Sequence, residues 1–291
     1  MGATDLVTSR VSVRGLWKIF GHESKGEIPA ELANRSKAAL LEEDGVVLAL
    51  KDVNFDVTAG ETFVVMGLSG SGKSTLIRTI TRLIEPSYGE ILVDGEDVLQ
   101  YSEAQLVEFR RKKTGMVFQH FGLLPHRTVI ENAAWGLEVQ NIDRDERMEK
   151  AQQVLELVGL NGWENYRPNA LSGGMQQRVG LARAITANPD ILLMDEPFSG
   201  LDPLIRREMQ SELVQLQARL HKTMIFITHD MHEALKLGER IAIMRDGEVV
   251  QIGTGKEILT SPADEYVEDF TRDVREAAQN PILNQVAGAR S

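Results

Sequence analysis

The run Gly67-Leu68-Ser69-Gly70-Ser71-Gly72-Lys73-Ser74-Thr75 sets an ammonium and several small hydroxyls behind a glycine-rich turn. It fits G-x-x-x-x-G-K-[ST], follows a strand-like run (Thr62–Met66) and opens a helical pattern, the context in which that spacing binds phosphate. Glycines let the backbone wrap closely enough for its N–H groups to converge on phosphate oxygens. The helix start adds partial positive charge. In such a loop Lys73 would reach the β- and γ-phosphates of a nucleotide, and the Ser74 hydroxyl would ligate Mg²⁺. The bland alternative is a glycine turn that caps a helix.

Hydrolysis of a phosphoanhydride needs an acidic element beside that loop. Ile191-Leu192-Leu193-Met194-Asp195-Glu196 supplies two carboxylates at the end of an apolar run. Asp195 would hold Mg²⁺ through water, and Glu196 would polarise the attacking water as general base. The competing reading is a strand-end carboxylate that caps the next helix. A third run, Leu171-Ser172-Gly173-Gly174-Met175-Gln176-Gln177-Arg178, makes a second anion-binding nest at a helix start. One nucleotide does not need two nests from one chain, so the second suits a nucleotide held by another copy. A Ser-capped helix would account for Ser172 but leaves the glycine pair and Gln-Gln-Arg unexplained.

The elements that must position these residues can be read from periodicity. Residues 11–20 alternate as a strand, and Val46–Leu50 and Thr62–Met66 are strand-like. Pro29 can open a short helix, Ala30 to Leu41, that Gly45 would close. Helices are expected from about Lys73 to Leu83 and over Gln105–Lys113, Asp143–Val158 and Gly173–Thr186. Ile191–Met194 and Met224–Thr228 read as strands buried on both faces. Asp94-Gly95 and Asp246-Gly247 sit between apolar runs, the signal for tight hairpins. Alternating strands and helices imply an α/β fold with a mostly parallel sheet covered on both sides. The strand-poor block from about 121 to 169 reads as a separate helical subdomain, and the tail after Val274 as poorly ordered.

Composition narrows the class. The 291 residues are 42% hydrophobic and 26% charged, enough for one large core or a core plus a satellite subdomain. No stretch approaches the ~18 apolar residues of a spanning helix. The N-terminus lacks a secretory pattern, and Leu6 stands where myristoylation needs Ser or Thr. The absence of cysteine excludes disulfides and thiolate metal sites and fits a reducing cytosol. A net charge of −11 argues against nucleic acid as the main partner. The basic run Arg110–Lys113 reads as a solvated helix end. The expectation is a soluble intracellular protein.

In this order, the phosphate loop, Leu171–Arg178 and Asp195-Glu196 resemble the ATPase subunit of an ABC transporter. That implies a P-loop NTPase RecA-like core with an antiparallel β subdomain and a helical subdomain, binding ATP and Mg²⁺. Gln119, after Met116-Val117-Phe118, is similar to the glutamine that touches the Mg²⁺/water site and senses the membrane subunit. Ser199-Gly200-Leu201-Asp202 resembles the loop joining two nucleotide sites, with Gly200 where Ala is more usual. His229 resembles the histidine that contacts the γ-phosphate and orients Glu196. Phe20 resembles the aromatic that stacks on adenine, although Trp17 is near and a buried core aromatic is the commoner fate.

Further segments are similar to the glycine betaine/proline importer branch. They include Arg82-Leu83-Ile84-Glu85-Pro86, Asp202-Pro203-Leu204-Ile205-Arg206, Phe226-Ile227-Thr228-His229-Asp230 and Tyr266-Val267-Glu268-Asp269-Phe270. The insertion over 21–47 also belongs to that branch. The resemblance covers about 12–275, implying one ATPase domain over 1–275. It implies a homodimer peripheral to the cytoplasmic face of the inner membrane, transmembrane permease subunits and, indirectly, an extracytoplasmic substrate-binding protein. The solute would be a betaine, choline, carnitine, proline or histidine. Branch members commonly continue into paired CBS domains after the position of Val274. Too few residues remain here for either, so 276–291 is expected to be a tail, and the subunit is not expected to sense ionic strength itself. An ABC ATPase of DNA repair or translation is the alternative. The stretch between Gln119 and Leu171 lacks the sustained heptads of the first, and the single ATPase unit does not match the second.

Overall fold

The computed structural model describes residues 9–21, 35, 37–119 and 121–279. Strand β1 (Ser9–Phe20) pairs antiparallel with β2 (Val47–Thr58) and β4 (Tyr88–Val93), and short β5 (Glu96–Asp97) completes a four-stranded sheet in the order β2-β1-β4-β5. A second, six-stranded sheet has the order β10-β9-β3-β8-β7-β6. Its members are β3 (Thr62–Met66), β6 (Thr114–Val117), β7 (Ile191–Asp195), β8 (Thr223–Thr228), β9 (Arg240–Arg245) and β10 (Glu248–Gly253). Every pairing in it is parallel except β9 with β10. The expected mostly parallel sheet is therefore present, with an antiparallel sheet packed against it.

Strand β3 shows why the strands of that sheet read as unbroken apolar runs. Phe63 and Val65 turn toward the antiparallel sheet, meeting Leu50, Phe55 and the helix residues Leu76 and Ile77. Val64 and Met66 turn the other way, toward Phe226, Met194 and helices further along the chain. With both faces covered, the middle of the strand is apolar throughout and polar residues such as Thr62 stand at strand ends. The strands consequently end together, and the loops that leave them gather at one edge.

Helix α1 (Lys37–Asp44) is anchored by Leu40, buried with Trp17, Ile19, Val46 and Leu48. Gly45, at φ 67°, closes it as expected, and the expected start at Pro29 and Ala30 lies outside the described residues. Helix α2 (Lys73–Ile80) begins at the phosphate loop as expected and stops three residues short of Leu83, because Arg82 takes a left-handed φ of 50°. Helix α3 (Glu103–Glu108) starts at a Ser102 capping box and passes into a π-helical turn, Phe109–Lys113, replacing the single helix expected there. That turn uses the basic run internally. Arg110 donates to the carbonyls of Thr81 and Arg82, and Lys113 pairs with Asp94 and Asp190.

Between β6 and β7 come α4 (Val129–Ala133), α5 (Trp135–Val139), α6 (Arg144–Leu157) and α7 (Gly173–Thr186). Helices α8 (Pro203–Leu220) and α9 (Met231–Leu237) cover the face opposite the antiparallel sheet, and α10 (Gly255–Thr260) follows β10. The final helix, α11 (Glu265–Gln279), runs past Val274, where disorder was expected. Val267, Phe270 and Val274 repeat at helical spacing and pack on the main core. Both Asp-Gly hairpins form, with positive φ at each central residue.

Candidate nucleotide site

Loop 67–72 leaves β3 at the sheet edge and enters α2 through Gly72. A Cβ on Gly67 would lie 2.3 Å from the Met244 carbonyl oxygen, and one on Gly72 2.4 Å from that of Ala49. Both also take positive φ, 154° and 102°. The loop is thus pressed between the ends of β9 and β2 and has one shape available to it. Buried Ser71 presents a hydroxyl with no hydrogen-bond partner.

Lys73 is 5% exposed, and its ammonium donates to the carbonyls of Gly67 (2.9 Å) and Leu68 (3.0 Å). It lies 3.8 Å from Glu196 Oε1. Burial pushes its pKa below the ordinary lysine value, while Glu196 and Asp195 pull the other way. Ser74 Oγ donates to Asp195 Oδ1 at 2.8 Å, and Arg78 stands 3.6 Å from the other oxygen of that buried carboxylate.

Glu196, next after β7, holds a left-handed φ of 46°, and its N–H donates to the Ile227 carbonyl on β8. That conformation costs a non-glycine residue roughly 1–3 kcal/mol and marks a place where the fold overrides local preference. Here it turns the carboxylate into the cleft. His229, just past β8, brings Nδ1 to 2.9 Å from Glu196 Oε2. Behind it, buried Glu233 accepts from the Thr228 hydroxyl and from Gln210, and burial raises its pKa. Sequence reading missed this support, because a helical Glu carries no signal of burial.

Lys73, Ser74, Glu196 and His229 line one cleft of about 720 Å³, together with Phe20, Lys37, Val47, Ala49, Ser69, Gly70, Thr75 and Gln119, while buried Asp195 is not on its wall and reaches it through Ser74. The two candidate aromatics separate cleanly, since Trp17 is core at 4% exposure while Phe20 faces the cleft at 39%. Lys18 stands 4.8 Å over the Phe20 ring.

Ser172, Gly173, Gly174 and Asp202 are not among the cleft's lining residues. Ser172 caps α7, accepting from the Met175 N–H, and Asp202 caps α8, accepting from Leu204 and Ile205. Gly174 is packed so that a Cβ would meet Ile205 Cγ2 at 2.6 Å, which supplies a packing reason for one glycine of the pair. Gly173 remains exposed.

The donor set fits a hard cation held with a nucleotide. Among the described residues no group of three or more His, Asp or Glu side chains could hold a metal. Ser74 and Asp195 instead offer one hydroxyl and one carboxylate oxygen in contact. Mg²⁺ is characteristically bound that way, by one or two protein oxygens with phosphate and water completing the octahedron. Among the described residues no helix is long and apolar enough to cross a membrane.

A family sequence model described as "ABC transporter" matches residues 50–199. The glycine betaine transport ATP-binding protein of Bacillus subtilis (strain 168) is 54% identical over 91% of this chain and 63% of its own length. The glycine betaine/proline betaine transport system ATP-binding protein of Escherichia coli (strain K12) is 53% identical over 91% of this chain and 66% of its own length. The chain thus spans somewhat less than two thirds of either relative. Among solved structures, a dimeric post-hydrolysis state of an ATP-binding cassette bound to ADP and Pi superposes with a TM-score of 0.70. It is 34% identical, over 84% of this chain and 98% of that one.

Proposed function

The chain belongs to the ABC transporter family, and on that premise we propose that it is the ATP-hydrolysing subunit of an importer. Its solute would be a glycine betaine- or proline-type compatible solute, or a related quaternary amine or amino acid. The catalytic part rests on one observation: the 2.9 Å contact of His229 with Glu196, inside the cleft that also holds Lys73 and Ser74.

In this reading Phe20 stacks on adenine, and the N–H groups of Gly67, Ser69, Gly70, Ser71 and Gly72 surround the phosphates, with Thr75 beside them. Lys73 offsets the charge on the β- and γ-phosphates. Ser74 and Asp195, with Gln119, would hold Mg²⁺, which when bound lowers the charge on the phosphate oxygens. Glu196 takes a proton from water as the water oxygen bonds the γ-phosphorus. The bond from that phosphorus to the ADP oxygen breaks, leaving ADP and inorganic phosphate, and the proton passes on to the phosphate. His229 holds the carboxylate in the attacking orientation. Any uncoupled rotation of Glu196 would cost rate, because a general base must meet its proton within hydrogen-bond reach.

The nest Ser172–Gly174 is proposed to close on ATP held by a second copy, with Asp202 in the loop between the sites. Its place outside the chain's own cleft supports this, as does the dimeric state of the cassette with ADP and Pi. Permease subunits would meet the surface near Gln119–Leu137 on the cytoplasmic side of the membrane, with an extracytoplasmic binding protein delivering solute. The likeness to the two betaine-transport ATP-binding proteins favours this over a repair or translation role.

Assembly and transport test the reading. The full chain should co-purify with membrane permease subunits, and vesicles carrying the complex should take up labelled betaine, choline, proline or histidine only with ATP. ATPase stimulation by a sugar- or metal-loaded binding protein, with none by betaine- or amino-acid-loaded ones, would overturn the solute class. Absence of any membrane partner would overturn the transport role.

A further inference from the structure

Helix α1 reaches the nucleotide cleft from a segment to which no role has yet been given. Lys37, in its first turn, donates its ammonium to the Gly70 carbonyl at 2.8 Å and lines the cleft beside the phosphate loop. The helix is fixed underneath, since Leu40, three residues on, is fully buried against Trp17, Ile19 and Leu48. Two backbone bonds, from Gly45 to the Leu41 carbonyl and from Val46 to the Leu40 carbonyl, close its end immediately before β2. The backbone beneath Lys37 is thereby held, while its half-buried side chain ends in an ammonium at the cleft.

We propose that Lys37 is a nucleotide-binding residue: its ammonium contacts the phosphate chain of ATP from the rim opposite Lys73. This rests on the reading of the cleft as an ATP site. Two facts carry it. Lys37 is held by a neutral carbonyl, and hydrogen bonds between charged partners are roughly twice as strong as those to neutral ones, so a phosphate oxygen at the cleft outcompetes that carbonyl. The loop also leaves one side open to it. Lys73 is buried and engaged with Gly67 and Leu68 on the inner side, whereas Gly70, the residue Lys37 touches, has open space around its α-carbon. An ATP molecule bound between them would carry an ammonium on each flank of its phosphates. Helix α1 would then add to the cleft a cation that no pattern within the phosphate loop reveals.

The test is ATP binding by the full chain, titrated for wild type, Lys37→Ala, Lys37→Arg and Lys73→Ala over a series of salt concentrations, with ATPase kinetics of the assembled complex. Lys37→Ala should weaken ATP binding about three- to tenfold, the range for an exposed charge-assisted contact, and raise KM with kcat within twofold. Lys37→Arg should restore most of the affinity. The salt dependence of binding should be shallower in Lys37→Ala than in wild type, because one ionic contact is gone. Unchanged affinity in Lys37→Ala, or an Lys37→Arg variant as weak as Lys37→Ala, would overturn the assignment. So would a loss of affinity with an unaltered salt dependence, which would mean that Lys37 only braces the loop. If Lys73→Ala abolishes binding while Lys37→Ala leaves it intact, the Lys37 assignment alone fails. If wild type binds no ATP, the reading of the cleft fails.

Discussion

In the proposed mechanism Glu196 must do two things that pull apart: hold a left-handed backbone and present its carboxylate to water. The Ile227 carbonyl pins its N–H, and His229 pins its side chain. Glu196→Gln keeps both the shape and the contact and removes only the proton acceptor. It should bind ATP as wild type does and lose turnover by roughly a hundredfold or more, the usual size of a general-base contribution. Parallel measurement of ATP affinity and kcat checks this, and a variant hydrolysing at the wild-type rate would remove Glu196 from the base role. Glu233 makes a second residue-level prediction. Its pKa is raised in the fold by burial, so above the ordinary glutamate value of 4.5 the unfolded chain gives up this proton first. The folded state then holds more protons, and stability falls as pH rises from that value through the raised one. Thermal melts of Glu233→Gln across that range should lack this component of the decline. The contiguous motifs were legible because adjacency along the chain is part of their chemistry. Gln119, His229 and Phe20 came only through resemblance, since a lone residue at a strand end has no spacing to read. Lys37 gave no signal at all, because its contact with the loop crosses 33 positions of sequence. Tyr266 entered only within the run 266–270 that carries the branch resemblance, and its contact with the loop, across 198 positions, could not be read from it.

Among the elements, β3, α2 and α7 start where the pattern placed them, because a doubly covered strand and a capped helix both have abrupt chemical edges. The misses have local causes. Asp52, at φ 46°, interrupts the alternation of β2, which hides its second half. The π-helical turn after α3 keeps a helical look in sequence while changing its period. The two glycine-bearing junctions allow a direct comparison. At Gly72 an added methyl would strike the Ala49 backbone in a left-handed conformation, whereas at Gly174 it would strike the Cγ2 methyl of Ile205, a side-chain branch with a stiff χ1 in its helix. Gly72→Ala should therefore cost about 2 kcal/mol or more from strain and overpacking together and should cripple ATP binding. Gly174→Ala should cost about 1 kcal/mol, from overpacking alone and without backbone strain, as Ile205 and its helix give way. Denaturant unfolding of both variants measures the difference, and equal costs would contradict the close packing described for the loop.

At the scale of the whole molecule, the phosphate loop and the Ser172 nest occupy separate places on one chain. If each serves a different copy, damage to one can be complemented by damage to the other. A mixture of Lys73→Ala and Ser172→Arg subunits contains dimers in which one site carries both lesions and the other neither. ATPase activity should partly return on mixing, although each variant alone is nearly inactive. Loss of ATP binding by isolated Ser172→Arg subunits would instead tie that residue to its own chain's cleft. The last helix adds a different connection. Tyr266 on α11 sets its hydroxyl 3.5 Å from the Leu68 amide and donates to the Met244 carbonyl at 3.2 Å, the same carbonyl that Gly67 presses against. A phenol at that junction makes loop geometry and the seating of α11 variables of one equilibrium. Thermodynamic reciprocity then holds in both directions: whatever restrains α11 alters the grip on nucleotide, and filling the loop alters by the same factor how firmly that helix is held.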